Sequence, residues 1–521
     1  MSKMNKSVVI IGGGLGGLFC GAILAKEGCK VTILEKNATI GGGLQSFRRF
    51  GETFDTGMHI VGGMRSGGNI WRICRYLGID DSMRLLDVDN DCTDHLYFAE
   101  DRQWYTIAQG NEGFVESLAR DFPDERQGLR RYVEAVQHIA DSIGLFNLRP
   151  AEKGMPVMPS APHFTMAAND FIAQFVGDRR LRSVLAYMNP LYGGRPGQTP
   201  AFVHAIVSTL YIKGASRFVG GSSRFADLLA EVIRSRGGNI VAGDAVEWIE
   251  VRDRRVDHVR TKKGHVYRAD CYISDIHPCT LLTLMDGQTF TKAFRERMNA
   301  VPNAYSAFSL FIKLRQGTFP YINHSEFYMT RYDDVWNFAR TDRPWPLGFL
   351  FMTPPEDANT GTAHNNRLGR QDGWTEGATH ANKAMVTAPM PFSMARAWEH
   401  TTTGHRDASY YDWKAQMTEA LLRHVEEIHP GFSRCIEAVN SASPLTIRDF
   451  YGVKEGTICG FSKDCTNMAL SHLPVVTKVG NLLLTGQNNN LHGFCGVPLT
   501  AINTCEAILG TNYVLNKMGQ C

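Results

Sequence analysis

Ser7-Val-Val-Ile-Ile-Gly12-Gly-Gly-Leu-Gly-Gly17 is a β-branched apolar run that breaks into a glycine turn, and an apolar, Ala-containing stretch of helical periodicity follows from Leu18 to Glu27. Gly28 closes that helix, and Lys30-Val-Thr-Ile-Leu-Glu35 reads as a second strand ending in a carboxylate, eighteen residues past the last glycine of a G-x-G-x-x-G pattern. Gly12 allows the tight turn, with Gly16 beside it; Gly14 lets backbone approach a pyrophosphate, and Gly17 lets the helix lie close on the strand. The helix N-terminus attracts phosphate charge, and Glu35 is set to accept hydrogen bonds from an adenosine ribose. A second glycine loop, Gly41-Gly-Gly-Leu-Gln-Ser46-Phe47, begins six residues past the acid. A simple NAD dehydrogenase has no need of it. A longer cofactor needs a second place where backbone lies close, so the reading favours FAD.

Across 521 residues, 55 Lys and Arg stand against 52 Asp and Glu, a balance too even for a nucleic-acid binder. Charged residues at 21% and hydrophobic ones at 43% suit a globular chain of two or three domains and exclude disorder, collagen-like repeats and disulfide miniproteins. No apolar run reaches the roughly 18 residues needed to span a bilayer, and the polar start Met1 to Lys6 leads straight into a strand. Neither a transmembrane helix nor a signal peptide is expected, and the default address is the cytoplasm. The 12 Cys show no C-x-x-C and no Cys/His pairing at zinc spacing, so they read as reduced packing thiols and no metal site is expected. No G-x-S-x-G nucleophile elbow appears.

At the other end, Asn481-Leu-Leu-Leu-Thr485 reads as a short apolar strand, and Val497-Pro498 to Leu509 as a helix with Pro near its first turn and Gly510 at its end. The turn Gly493 to Gly496 then sits at a helix N-terminus, whose unpaired N–H groups suit negative charge on the N1 and C2 carbonyl side of a reduced flavin.

The run from Glu35-Lys36 through Gly41-Gly42 and Ser46-Phe47 to Phe54-Asp-Thr-Gly-Met-His59 resembles the flavoprotein family of phytoene desaturases, carotenoid isomerases and retinol saturases. The Phe-Asp-Thr-Gly-x-His form is closest to the retinol saturase-like branch. Three further segments match in order: Gly220-Gly-Ser222 with its following helix and strand, Ala269-Asp270 to His277-Pro278, and Leu483-Leu-Thr-Gly486-Gln487 to His492-Gly493 and Gly496-Val497-Pro-Leu-Thr500. The resemblance implies an α/β fold with a Rossmann-type FAD-binding domain, of the glutathione reductase and amine oxidase kind, and a discontinuous α+β substrate domain. It implies that Lys36, Gly42, Gly43, Ser46, Gly486, Gln487, Gly493, Gly496 and Val497 join Gly12, Gly14, Gly16, Gly17 and Glu35 around FAD, with the backbone at Val246 meeting the adenine.

Residues 1–78, 205–285 and 445–521 are assigned to the FAD domain, and 79–204 and 286–444 to the substrate and lid domain. Asn239 to Val241, Val246 to Val251 and Val256 to Thr261 read as a small sheet, and Pro150 to Pro162 as a mobile loop or lid. Pro354 to Asn382 reads as a solvated loop. The aromatic and Met residues of Tyr187 to Tyr192 and Met390 to Met394 are candidates for a channel wall, with core packing the favoured reading.

A family of this kind moves a hydride to or from carbon-carbon double bonds. The leading expectation is a saturase or reductase of a long apolar polyene, retinoid-like or lipid substrate, with NADH or NADPH as a candidate electron donor. A desaturase or cis-trans isomerase is the alternative, and an amine oxidase or a non-catalytic flavin-binding protein lies further off. His59 is the first candidate for a group near the reaction, because it follows the Gly57 turn that the family places close to the flavin; a structural histidine is the competing reading. Tyr192 and His492 come next, with a structural role favoured for both. Asn189 to Pro200 matches the family only loosely, so substrate specificity is not carried over. Peripheral membrane contact beside a tunnel mouth is expected from the apolar substrates, and oligomeric state is left open.

Overall fold

A computed structural model describes residues 5–151, 162–356, 379–468, 472–489 and 491–520. Its centre is a five-stranded parallel sheet in the order Asn239–Val241, Lys30–Leu34, Ser7–Ile11, Cys271–Ser274, Leu482–Leu484. Ser7–Ile11 is buried from Val8 onward, as a β-branched run covered on both faces must be. The first helix, Leu15–Lys26, is apolar all round and buried from Gly16 to Ala25. It packs against the helices Ser223–Ser235 and Gly493–Leu509.

Two local expectations are corrected. Asn239–Val241 does not belong to the small sheet; it pairs in parallel with Lys30–Leu34, Ile240 opposite Ile33, and the ladder continues as Glu35 N–H donates to Val241 O. The small antiparallel sheet is instead Val246–Arg252, Arg255–Thr261 and Val266–Tyr267, its hairpin turned by Asp253 and Arg254, both at positive φ. The C-terminal helix starts at Gly493, so Gly493 to Gly496 form its first turn rather than a turn before it. Gly496 serves close packing: a Cβ there would overlap Leu491. Pro498 lies inside the helix and withdraws one amide from it.

Both excursions from this core contribute to one seven-stranded sheet, ordered Ile436–Ala442, Ser306–Leu314, Lys383–Met390, Gly348–Met352, Ser325–Met329, Asp94–Phe98, Gln103–Ile107. Its pairings are antiparallel except where Ser325–Met329 meets Asp94–Phe98. The helix Ala408–Ile428 covers one face through Leu421 and Val425. No helix among the described residues is long and apolar enough to cross a membrane. Most of the Pro150 to Pro162 stretch, and residues 357–378 of the expected solvated loop, lie outside the described residues.

Candidate active site

A cavity of about 480 Å³ starts at the first glycine turn and ends against the seven-stranded sheet. Gly12, at φ +104°, opens it. The second loop closes on the first: a Cβ on Gly42 would stand 3.2 Å from Gly14 Cα, so the two glycine loops form one wall. Glu35 is buried beside them; one carboxylate oxygen accepts from Gly13 N–H and the other from Asn37 N–H, each at 2.8 Å. Each oxygen keeps a second lone pair for a ribose hydroxyl. Gly16, Lys36, Gly43, Val246, Gly486, Gln487, Gly493 and Val497 also line the cavity. Lys36 Nζ donates to Asp449 O at 2.8 Å.

Gly17, Ser46 and Gly496 do not line it. Gly17 gives way to the Gly12 carbonyl, which a Cβ would overlap. Ser46 Oγ donates to Asp55 Oδ1 at 2.7 Å and accepts from Ser223 N–H, tying the second loop to the Gly220-Gly-Ser222 segment. These positions shape the cradle from behind.

Asp275 is the residue that the sequence reading missed. The strand Cys271–Ser274 pairs with Ser7–Ile11, Ser274 opposite Ile11, which carries the next residue to the glycine turn. Its Oδ2 accepts from Gly17 N–H at 2.8 Å, and a Cβ on Gly14 or Gly486 would stand 2.9 or 2.7 Å from its oxygens. Burial, helped by Glu35 and opposed by the Gly17 bond, pushes its carboxyl up to about 7. A carboxyl at this turn meets an anionic ligand most easily when it carries a proton. Since the folded pKa is raised, the protonated form dominates below about pH 7 and the repelling anion above it. FAD affinity is therefore expected to fall by up to about tenfold per pH unit above pH 7, and Asp275→Asn to flatten the profile. Fluorescence titration of apo-protein with FAD checks this; equal slopes in both proteins would remove Asp275 from the phosphate site.

His59 and His492 both line the cavity, and the Nδ1 of each is buried without a hydrogen-bond partner. Burial lowers the His59 pKa, against the pull of Asp55 and with Arg217 pushing the same way. Burial and then Lys463 bring His492 down to about 3. Both rings are neutral at pH 7. His492 is also the residue that precedes the C-terminal helix.

Tyr192 occupies a structural position, the reading favoured for it: its side chain is buried away from the cavity, bonded at 3.1 Å to Nδ1 of His204, whose Nε2 meets Tyr132 Oη at 2.7 Å. This Tyr-His-Tyr chain ties helices together. Tyr192→Phe is expected to leave flavin content and turnover within about twofold while costing about 1 to 3 kcal/mol of stability, measured by denaturant melts. A larger loss of turnover at unchanged stability would return Tyr192 to the reaction. Two tyrosines that were not anticipated do line the cavity: Tyr211, donating to Ile60 O at 3.2 Å, and Tyr451, donating to Thr56 Oγ1 at 3.1 Å.

Beyond the cradle the wall is apolar, built by Phe327 and Met329 of the sheet, Val207 and Leu210 of the helix Ala201–Ile212, and Pro190 and Leu191. Among the described residues, the only carboxylates lining the cavity, Glu35 and Asp275, belong to the cradle. Tyr187 and Met390 are core residues, away from this wall.

The residues present fit FAD: two glycine loops in contact, an acid with free lone pairs, and a helix N-terminus at one cavity. The family model for an NAD(P)-binding Rossmann-like domain matches residues 10–77. The chain is 25% identical to human all-trans-retinol 13,14-reductase, over 97% of this chain and 86% of that protein. It is 28% identical to the neurosporene-forming phytoene desaturase of Cereibacter sphaeroides over 51% of this chain and 52% of that one. Cyclohexylamine oxidase from Brevibacterium oxydans superposes with a TM-score of 0.57 at 14% identity, covering 97% of this chain and 100% of that one. The chain is thus similar to retinol reductases along nearly its whole length and to a carotenoid desaturase along half of it, and it shares its fold with cyclohexylamine oxidase.

Proposed function

We propose that this protein reduces a carbon-carbon double bond of a long apolar, polyene or retinoid-like substrate. The observation that carries this reading is the continuity of the cofactor cradle with an apolar wall that, among the described residues, bears no carboxylate to meet a cationic amine. Similarity to retinol reductases along nearly the whole chain supports it. Saturation adds a hydride to one carbon and a proton to its neighbour; bound FAD supplies the hydride chemistry, with NADH or NADPH as the source of electrons. The chain's own part is to hold the alkene away from water against Phe327, Met329, Val207 and Leu210, and to hold a proton for the second carbon. His59 is assigned that proton.

Phe450 lines the cavity and is 48% exposed, which supports a cavity mouth that meets a lipid surface. Liposome flotation that leaves all of the protein at the bottom would remove that part of the proposal.

The test is an anaerobic incubation of flavin-loaded protein with NADH or NADPH and a panel of retinoids and carotenoids, read by absorbance and mass spectrometry. Bleaching of the flavin and a product heavier by two hydrogens is expected. A product lighter by two hydrogens, or of equal mass with new retention, would replace the saturase by a desaturase or an isomerase. Peroxide released from an amine would replace both.

A further inference from the structure

We propose that His95, His324 and Glu326 bind one divalent transition-metal ion of the zinc class, on the face of the seven-stranded sheet turned away from the flavin cavity. His95 and Glu326 are direct partners across the parallel pair Asp94–Phe98 and Ser325–Met329, so their side chains leave the same face. Phe327 and Met329, alternate to Glu326 on that strand, line the cavity on the other face. His324 enters from the residue just before the strand. Each of the three offers one ligand atom, and these atoms lie within 4.8 Å of one another. His324 Nε2 is buried, lacks a hydrogen-bond partner and stands 3.6 Å from Glu326 Oε1. Donor atoms around a tetrahedral zinc ion are roughly 3.3 Å apart, given bonds of roughly 2.0 to 2.1 Å. Reaching that spacing asks for imidazole rotation rather than strand movement.

The surroundings are those of a ligand set. The His95 ring is stacked on Trp104 at 4.1 Å, which fixes its plane. The second oxygen of Glu326 is bonded to His429 Nε2, an outer partner of the kind that orients a ligating carboxylate. Asp89 Oδ2 lies 4.0 Å from the other nitrogen of His324. Asp94 and Cys92 are also within its electrostatic reach. The nearby Arg217 guanidinium is engaged by the carbonyls of Ile322, His324 and Thr353 and by Ser325 Oγ. With the imidazoles neutral, Asp89, Asp94 and Glu326 exceed that single cation, and the excess is met by a proton or by a dication. Sequence spacing hides the set, because its members are 229 and two residues apart and only strand pairing joins them.

The test uses tag-free, flavin-loaded full-length protein, stripped with a chelator and dialysed against zinc sulfate. One zinc per chain retained through gel filtration is expected. His324→Asn and Glu326→Gln should each weaken retention at least tenfold, and His429→Asn roughly ten- to hundredfold, all with unchanged flavin absorbance. No retained zinc in the parent protein overturns the proposal, as does retention unaltered by the His324 and Glu326 substitutions. Should those variants fail to fold, protection of His95 and His324 from carbethoxylation by zinc in the parent protein, read by peptide mass spectrometry, decides it: equal labelling with and without zinc overturns the site.

Discussion

Gly14→Val is expected to give a folded protein that has lost about tenfold or more of its affinity for flavin, whereas Gly17→Ala is expected to cost on the order of 3 kcal/mol of stability. The two glycines are three residues apart in one turn, and their surroundings differ. Gly14 has φ −76° and ψ −173°, a backbone any residue adopts, and its Cβ would meet only the end of the Asp275 side chain at 2.9 Å. The added isopropyl group therefore points into the cavity and fills space where a pyrophosphate would approach the backbone. Gly17 faces the Gly12 carbonyl oxygen, a backbone atom that cannot swing aside, so a single methyl group separates helix from strand. Flavin absorbance per chain and thermal unfolding, measured on both variants, separate the effects. Full flavin retention in Gly14→Val would move the cofactor site away from this turn. Glu35→Leu supplies an independent arm: it removes the acceptor of the Gly13 and Asn37 amides along with the proposed ribose contact, so flavin loss should come with a modest fall in stability.

The difference between these neighbours also explains what could be read from the sequence. The turn Gly12 to Gly17 and Glu35 are local: strand, turn, helix and strand follow in chain order, so spacing alone sets the geometry. Asp275 is not local. It matters only because Cys271–Ser274 inserts beside Ser7–Ile11, a sheet order that no run of residues encodes. The same holds for Tyr192, whose structural role was the favoured reading but whose partner, His204 in the next helix, no spacing could name. Gly496 misled in another way. A glycine permits both a turn and a close contact, and here Leu491 required the contact. Asn239–Val241 was legible as a strand but not as an edge strand of the main sheet, since a short apolar triplet carries no mark of its partner.

His59→Ala is expected to keep the flavin spectrum and lower turnover about a hundredfold, the lower end of what a positioned proton donor contributes. The ring lies in the cavity wall with Nδ1 buried and unpartnered, a cost that a purely structural histidine would avoid by bonding to backbone. His277 shows the contrast: its Nδ1 accepts from Cys279 N–H at 3.2 Å and its Nε2 meets Asn303 Oδ1 at 3.1 Å, so both nitrogens are used within the fold. The pH dependence follows from the direction of the His59 shift. Burial holds its folded pKa below the ordinary value near 6.5, so the neutral ring is kept above that value. As pH falls below about 6.5 the unfolded chain takes up the proton first, and the His59 contribution to stability is lost toward the depressed folded pKa. A proton-donating role predicts that kcat falls as pH rises through the depressed His59 pKa, a limb that His59→Ala abolishes and His59→Gln does not restore, because the amide can bond but cannot titrate. Recovery of turnover in His59→Gln would instead make the residue an orienting group. Unchanged turnover in His59→Ala, with only a lower melting temperature, would leave it a structural histidine and pass the proton to another cavity group such as Tyr211 or Tyr451.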